Sequence, residues 1–271
     1  MVDLSSHRTP APAAHPAAAE SVTPRIRTID TNRPWVWLAA GWRDMWAAPM
    51  VSLAYGLLAV VSSFLLTAGL LMAELGYLIL PMAAGFMLLG PILAVGLYQT
   101  SRLLERGQPV TLTAILNAYG ANGAQIAGIG LVLMLALLAW IRVAFLIFAI
   151  FFSSDLPPLD MLVDRIFFSA ETIPFLLTGT IVGGVIAALV FAISVIALPM
   201  LLDRDTDIIT AMGTSVEAVR QNLQPMAVWA GLIALFIAAG MSVGFIGLVI
   251  TFPLIGMASW HAYRDLVEHR D

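Results

Sequence analysis

The sequence predicts an all-α fold: a polytopic membrane helix bundle of about six transmembrane helices, with short amphipathic interfacial helices between them. Three observations predict it. Of 271 residues, 60% are hydrophobic and only 11% charged, against about 25% charged in a soluble domain. Apolar runs long enough to cross ~30 Å of hydrocarbon recur along the chain. Arginines gather in alternate connections between those runs, which is the signature of a fixed orientation in a bilayer.

Composition also removes functions. Cysteine is absent, so disulfide scaffolds, thiolate metal sites and cysteine nucleophiles are out of reach. All thirteen basic residues are arginine, which we read as nucleotide-composition bias. A net charge of -4 without a basic run argues against nucleic acid as a partner. The bilayer itself, and other membrane proteins, are the partners expected.

Residues 1–33 are rich in Ala, Pro and Ser, as in Thr9-Pro10-Ala11-Pro12. They lack the apolar block of a signal peptide and predict a disordered cytoplasmic tail. The membrane domain then covers 34–265, and 266–271 form a short cytoplasmic tail. In 34–48, Trp35, Leu38, Trp42 and Met45 recur at helical spacing, with Arg43 and Asp44 on the other side. That pattern predicts a helix lying on the inner surface; the alternative is the first turns of the first span. Spans follow at 50–72 and 77–99, separated only by Glu74-Leu75-Gly76, and then at 125–152 and 173–200. The block 226–263 has no charged side chain except the histidine at 261. As one helix, at ~1.5 Å per residue, it would extend to nearly twice the ~30 Å core. Two helices fit better, with the reversal at 240–244, where Gly240 and Gly244 permit a sharp turn.

Charge fixes the parity. With six helices, eleven arginines fall on the side of the two termini and only Arg165 falls on the other. This positive-inside bias puts both termini in the cytoplasm. Two connections on that side have helical periodicity: Leu112, Ile115, Leu116 and Tyr119 in one, and Ile209, Met212, Val216, Val219 and Leu223 in the other. A third such helix is expected in the opposite connection, around Leu159, Leu162 and Ile166. Ala118 to Asn122 precedes the third span much as Ala218 to Asn222 precedes the fifth, and Pro91 and Pro253 each lie eleven residues before an arginine. These matches suggest a hairpin used more than once in one orientation.

The stretches Trp37 to Asp44, Ser52 to Gly56, Gly90-Pro91 and Ser215-x-x-Ala218-x-x-x-Asn222 resemble the family called domain of unknown function 2189. The resemblance extends over most of the chain from about residue 30. It implies a six-helix protein of the bacterial inner membrane without an established activity, and it carries over no catalytic residue. Some relatives bear a label as cytochrome c oxidase subunits. The histidines here are His7, His15, His261 and His269, with none well inside a span to hold haem or copper.

Candidate polar residues are few. Arg142 is the ionisable residue well inside a span, where an arginine costs at least ~2.5–3.5 kcal/mol. Either it contacts an anion or a partner carboxylate, with Glu74 and Asp155 nearest by topology, or it snorkels along a tilted helix to the interface. Asp160 and Asp164 could share a helix face, but a solvated surface explains them. Gly179-x-x-x-Gly183 and Gly240-x-x-x-Gly244 have close-packing spacing. Tyr98, Gln99, Trp260, His261 and Tyr263 gather at the inner ends of two spans, as an aromatic belt does. No phosphate loop, metal motif or catalytic constellation is present. The expectation is therefore a non-enzymatic component without a cofactor that binds proteins or lipids. The alternative is a small-solute transporter or channel, which the absence of Asp and Glu from the spans disfavours.

Overall fold

The computed structural model describes residues 24–152 and 172–268. Among these residues the regular structure is helical, apart from one isolated bridge. Eleven helices follow in order: α1 Arg33–Ala47, α2 Pro49–Met72, α3 Ile79–Leu93, α4 Val95–Glu105, α5 Leu112–Ala121, α6 Gly123–Phe152, α7 Thr172–Ser194, α8 Ala197–Asp203, α9 Ile208–Gln221, α10 Leu223–Ser242 and α11 Leu248–Leu266. The helix expected near Leu159, with Asp155, Asp160, Asp164 and Arg165, lies outside the described residues.

Five helical stretches are long and apolar enough to span a bilayer: α2, α3 with α4, α6, α7 with α8, and α10. The sixth, α11, has span length, but Trp260 to Asp265 make its second half polar. The ends of the chain settle the parity. Ile26 pairs with Val267 in an antiparallel bridge. The Arg27 N–H donates to the Leu266 carbonyl at 2.8 Å, and the Glu268 N–H to the Arg25 carbonyl at 3.0 Å. Both ends of the domain therefore sit together, which requires an even number of crossings. Arg25 to Arg27 are accordingly paired with Leu266 to Glu268, and the Ile29 N–H is bonded to Asn222.

The reversal before α11 differs from expectation. Helix α10 continues through Gly240, and the turn falls over 243–247. Gly244 takes φ +61° there, and Phe245 follows it at φ +64°. Gly240 is needed for packing instead. A Cβ on it would collide with Thr251 and Leu248 across the hairpin. The two glycines divide the work, one allowing close approach and the other the left-handed turn.

One unit is built three times. Helices α3 and α4 descend to an interfacial helix, α5, and α6 ascends from it. Helices α7 and α8, then α9, then α10 repeat the path. The third copy is split by the chain ends: α11 descends, and α1 and α2 complete it from the other terminus. The residue between interfacial and ascending helix has nearly the same backbone each time: φ -136°, ψ 48° at Asn122, φ -126°, ψ 44° at Asn222, and φ -127°, ψ 61° at Ala48. The two asparagines do parallel work. Asn122 donates to the Leu201 and Thr206 carbonyls. Asn222 accepts from the Ile29 N–H at 2.9 Å and donates to the Arg27 carbonyl at 3.0 Å. Each thus pins a neighbouring connection to the base of its own unit.

The interfacial helices bury only part of the set that periodicity selected. In α1 the inward residues are Trp37, Leu38, Gly41 and Met45, while Trp35, Trp42 and Trp46 face outward. The cause is Gly41, whose missing Cβ lets α1 lie directly on the backbone of Ala258. In α9 the inward face is Ala211, Thr214, Ser215 and Ala218, and Ile209 and Val216 are exposed, as is Leu223 at the start of α10. Close approach selects small residues; lipid receives the large ones.

Candidate functional site

The polar side chains converge at the arginine-rich end, around α11. Asp203, at the end of α8, has a side chain only 6% exposed. Its Oδ1 accepts from Arg102 Nε and Arg106 Nη2, both at 3.0 Å. Its Oδ2 accepts from the Tyr263 hydroxyl at 3.0 Å, with Arg264 Nη1 at 3.9 Å. Tyr263 in turn accepts from Arg204 Nε at 3.1 Å, and Arg204 Nη2 donates to the Glu268 carbonyl at 2.6 Å. A buried carboxylate is tolerated because cations and a hydroxyl replace the water it lost.

Two further clasps flank it on α11. Glu105 accepts from Trp260 Nε1 at 2.9 Å and from Arg264 Nε at 2.8 Å. Asp265 takes a bidentate contact from Arg33, at 2.6 and 2.7 Å, and the Trp37 indole at 2.9 Å. That bidentate contact raises the Arg33 guanidinium above its ordinary value. His261 Nε2 lies 2.8 Å from Asp44 Oδ2. Asp44 therefore points into the bundle, not away from it as its spacing with Arg43 suggested; Arg43 does face outward. The last turns of α11 thus grip three helices: α1 through His261 and Asp265, α4 through Trp260 and Arg264, and α8 through Tyr263.

Helix breaks in the spans also have named partners. The chain leaves α7 at Val195 and re-enters helix at α8, and the Ile196 N–H donates to Ser215 Oγ at 3.1 Å. Ser215, Ala218 and Asn222 all face inward. The three residues are a scaffold for the break and the terminus, not a reactive set.

Sequence reasoning singled out Arg142 and Glu74, and the structure does not bring them together. Arg142 is exposed on the lipid-facing side of α6, beside exposed Phe145 and Leu146, with no ion pair to another described residue. Glu74 is exposed in the α2–α3 turn, at φ 60°. The partner considered for Arg142, Asp155, lies outside the described residues. Of the belt residues, Trp260, His261 and Tyr263 are present in the clasps, whereas Asp203, Glu105 and Asp265 were missed. Their only sequence signal was a carboxylate beside an arginine, as at Glu105-Arg106, Asp203-Arg204 and Arg264-Asp265, and Arg43-Asp44 and Asp164-Arg165 show the same pattern.

Between the helices are three apolar crevices, of about 470, 420 and 320 Å³. The first lies between α2 and α3 and the second among α3, α6 and α7. The third is central, among α3, α4, α7, α10 and α11. None is lined by Asp, Glu, Arg or His. Hydroxyls supply most of their polarity, and Ser63, Ser194 and Ser259 already donate to carbonyls one turn back. Among the described residues no cluster of His, Asp and Glu could hold a metal ion.

These features define a multi-pass helical membrane protein with its polar contacts closed on themselves. Residues 79–203 match the model of a family described as predicted integral membrane protein, domain of unknown function 2189. The match covers α3 to α8; of the four resembling stretches, only Gly90-Pro91 lies inside it. No curated protein and no solved structure matches the chain.

Proposed function

We propose that the protein is a non-enzymatic component of the bacterial inner membrane that binds lipids or other membrane proteins in an assembly or accessory role. Both termini then face the cytoplasm, because the arginine-rich end is the end that the positive-inside bias retains there. One observation carries the reading: the crevices within the spans are lined by no Asp, Glu, Arg or His, while the carboxylates of the clasps are engaged within the chain. Catalysis and ion-coupled transport both need converging polar groups at the site of action. Binding through apolar surface does not.

Purification of the full chain in mild detergent, followed by mass spectrometry of what accompanies it, tests the reading. A stoichiometric membrane protein or lipid is the expected result. A monodisperse protein with neither overturns it.

The second reading, a small-solute transporter or channel, is favoured by the broken paths α3–α4 and α7–α8. Solute flux in proteoliposomes that Arg142→Ala abolishes at unchanged abundance would establish it.

A further inference from the structure

Helices α2 and α3 are consecutive in the chain but scarcely touch. Helix α2 lies along α11, where Gly56 meets the Val249 backbone, and α3 lies along α6. The two diverge and leave the groove of about 470 Å³ between them. Its α2 wall runs from Tyr55 to Leu70, and Phe252 of α11 closes its back. At ~1.5 Å per residue that wall is about 22 Å long.

The groove's lining is apolar apart from hydroxyls, which suits a hydrocarbon chain, whose neighbours pack at ~4–4.5 Å. It is also continuous with the lipid-facing surface: Leu58, Leu65, Leu66, Leu80, Leu93 and Leu116 are exposed along or near its lips. At the arginine-rich end the hydroxyls of Tyr55 and Tyr119 stand 3.5 Å apart and close the floor. The Tyr55 ring is held there because Gly96 has no Cβ to displace it. Hydroxyls at one end of an apolar slot match a molecule with an apolar chain and a polar linkage at that end.

We propose that this groove binds one acyl chain of a phospholipid from the leaflet at the arginine-rich end, with its ester linkage beside Tyr55 and Tyr119. The proposal rests on the lipid-binding side of the functional reading above and names its site and ligand class.

The full chain, reconstituted in liposomes of phosphatidylethanolamine and phosphatidylglycerol and re-extracted in mild detergent, should keep one phospholipid through gel filtration, read by native mass spectrometry. Ala83→Phe or Ser62→Phe should lower that occupancy about tenfold or more, since a ring displaces several buried methylenes. Leu131→Phe, on an exposed part of α6 outside every crevice, should leave it unchanged. Unaltered retention in the plugged variants, or no retained phospholipid in the wild type, overturns the proposal. Retention of an isoprenoid lipid instead also overturns it. Wild-type protein gives a reading independent of how the variants fold. Phosphatidylethanolamine with a diazirine on its acyl chain should label Ser62, Thr67 and Ala83 well above Leu131, and equal labelling overturns the site. An empty groove in a protein that carries a stoichiometric protein partner defeats this proposal alone. A loaded groove in a protein that conducts solute defeats the functional reading alone.

Discussion

Helices α6 and α11 invert the rule learned from soluble proteins. Helix α6 has thirty residues, most of them aliphatic or aromatic, and much of it is exposed: Leu131, Leu135, Leu138, Phe145, Leu146 and Ile150 all face out. Helix α11 is shorter and carries Ser259, Trp260, His261, Tyr263, Arg264 and Asp265, yet it has more buried residues than any other described helix. In lipid, apolar surface gains nothing by turning inward, so greasy helices remain at the perimeter. Polar and small residues gain a partner or a close approach, so the helix that has them becomes the axis.

The largest effect should come from the centre of α11's polar contacts. Asp203→Ala leaves Arg102 and Arg106 without their carboxylate, and a loss of about 3–5 kcal/mol follows from breaking a mostly buried pair. Thermal unfolding in detergent should show it as a large fall in Tm, with Asp203→Asn intermediate.

Next come the glycines under α11. Gly56→Ala and Gly41→Ala put a Cβ into the backbones of Val249 and Ala258, and each should cost about 1–3 kcal/mol by overpacking. The same change at Gly69 or Gly179, where nothing lies within 4 Å, should be neutral or slightly stabilising, since alanine is the better helix former. Equal effects at the two pairs would erase the contrast between axis and perimeter.

A permuted chain sharpens the comparison further. Joining Glu268 to Pro24 and opening the chain within 106–111 should preserve insertion and Tm, because the termini already pair through Ile26 and Val267. Failure to insert would show that α1 and α11 depend on their present chain order.

The smallest effect belongs to the surface. Hydrogen bonds from Arg220 and Gln221 push the Glu217 carboxyl down to about 2. A depressed carboxyl stabilises above its unfolded value of about 4.3 and loses that contribution as pH falls through about 2. Glu217 is solvated, so Glu217→Gln should leave Tm nearly unchanged at neutral pH. Any difference should be confined to that acid window in a melting series.

The sequence by itself determined the helical class, the even number of crossings and the end at which arginines collect. Each follows from counting apolar length against bilayer thickness, which is a local property of the chain. Its periodicity placed α1 and α9 as helices but did not separate inward Leu38 and Met45 from outward Trp35 and Trp42, because large apolar residues face lipid as readily as protein. Only the tertiary structure decided that Asp44 meets His261, that Asp203 lies beneath three arginines, and that α2 parts from α3. Those outcomes depend on which backbones can approach one another, and that is set by glycines, Gly41 against Ala258 and Gly56 against Val249, that lie far in sequence from the helix they admit.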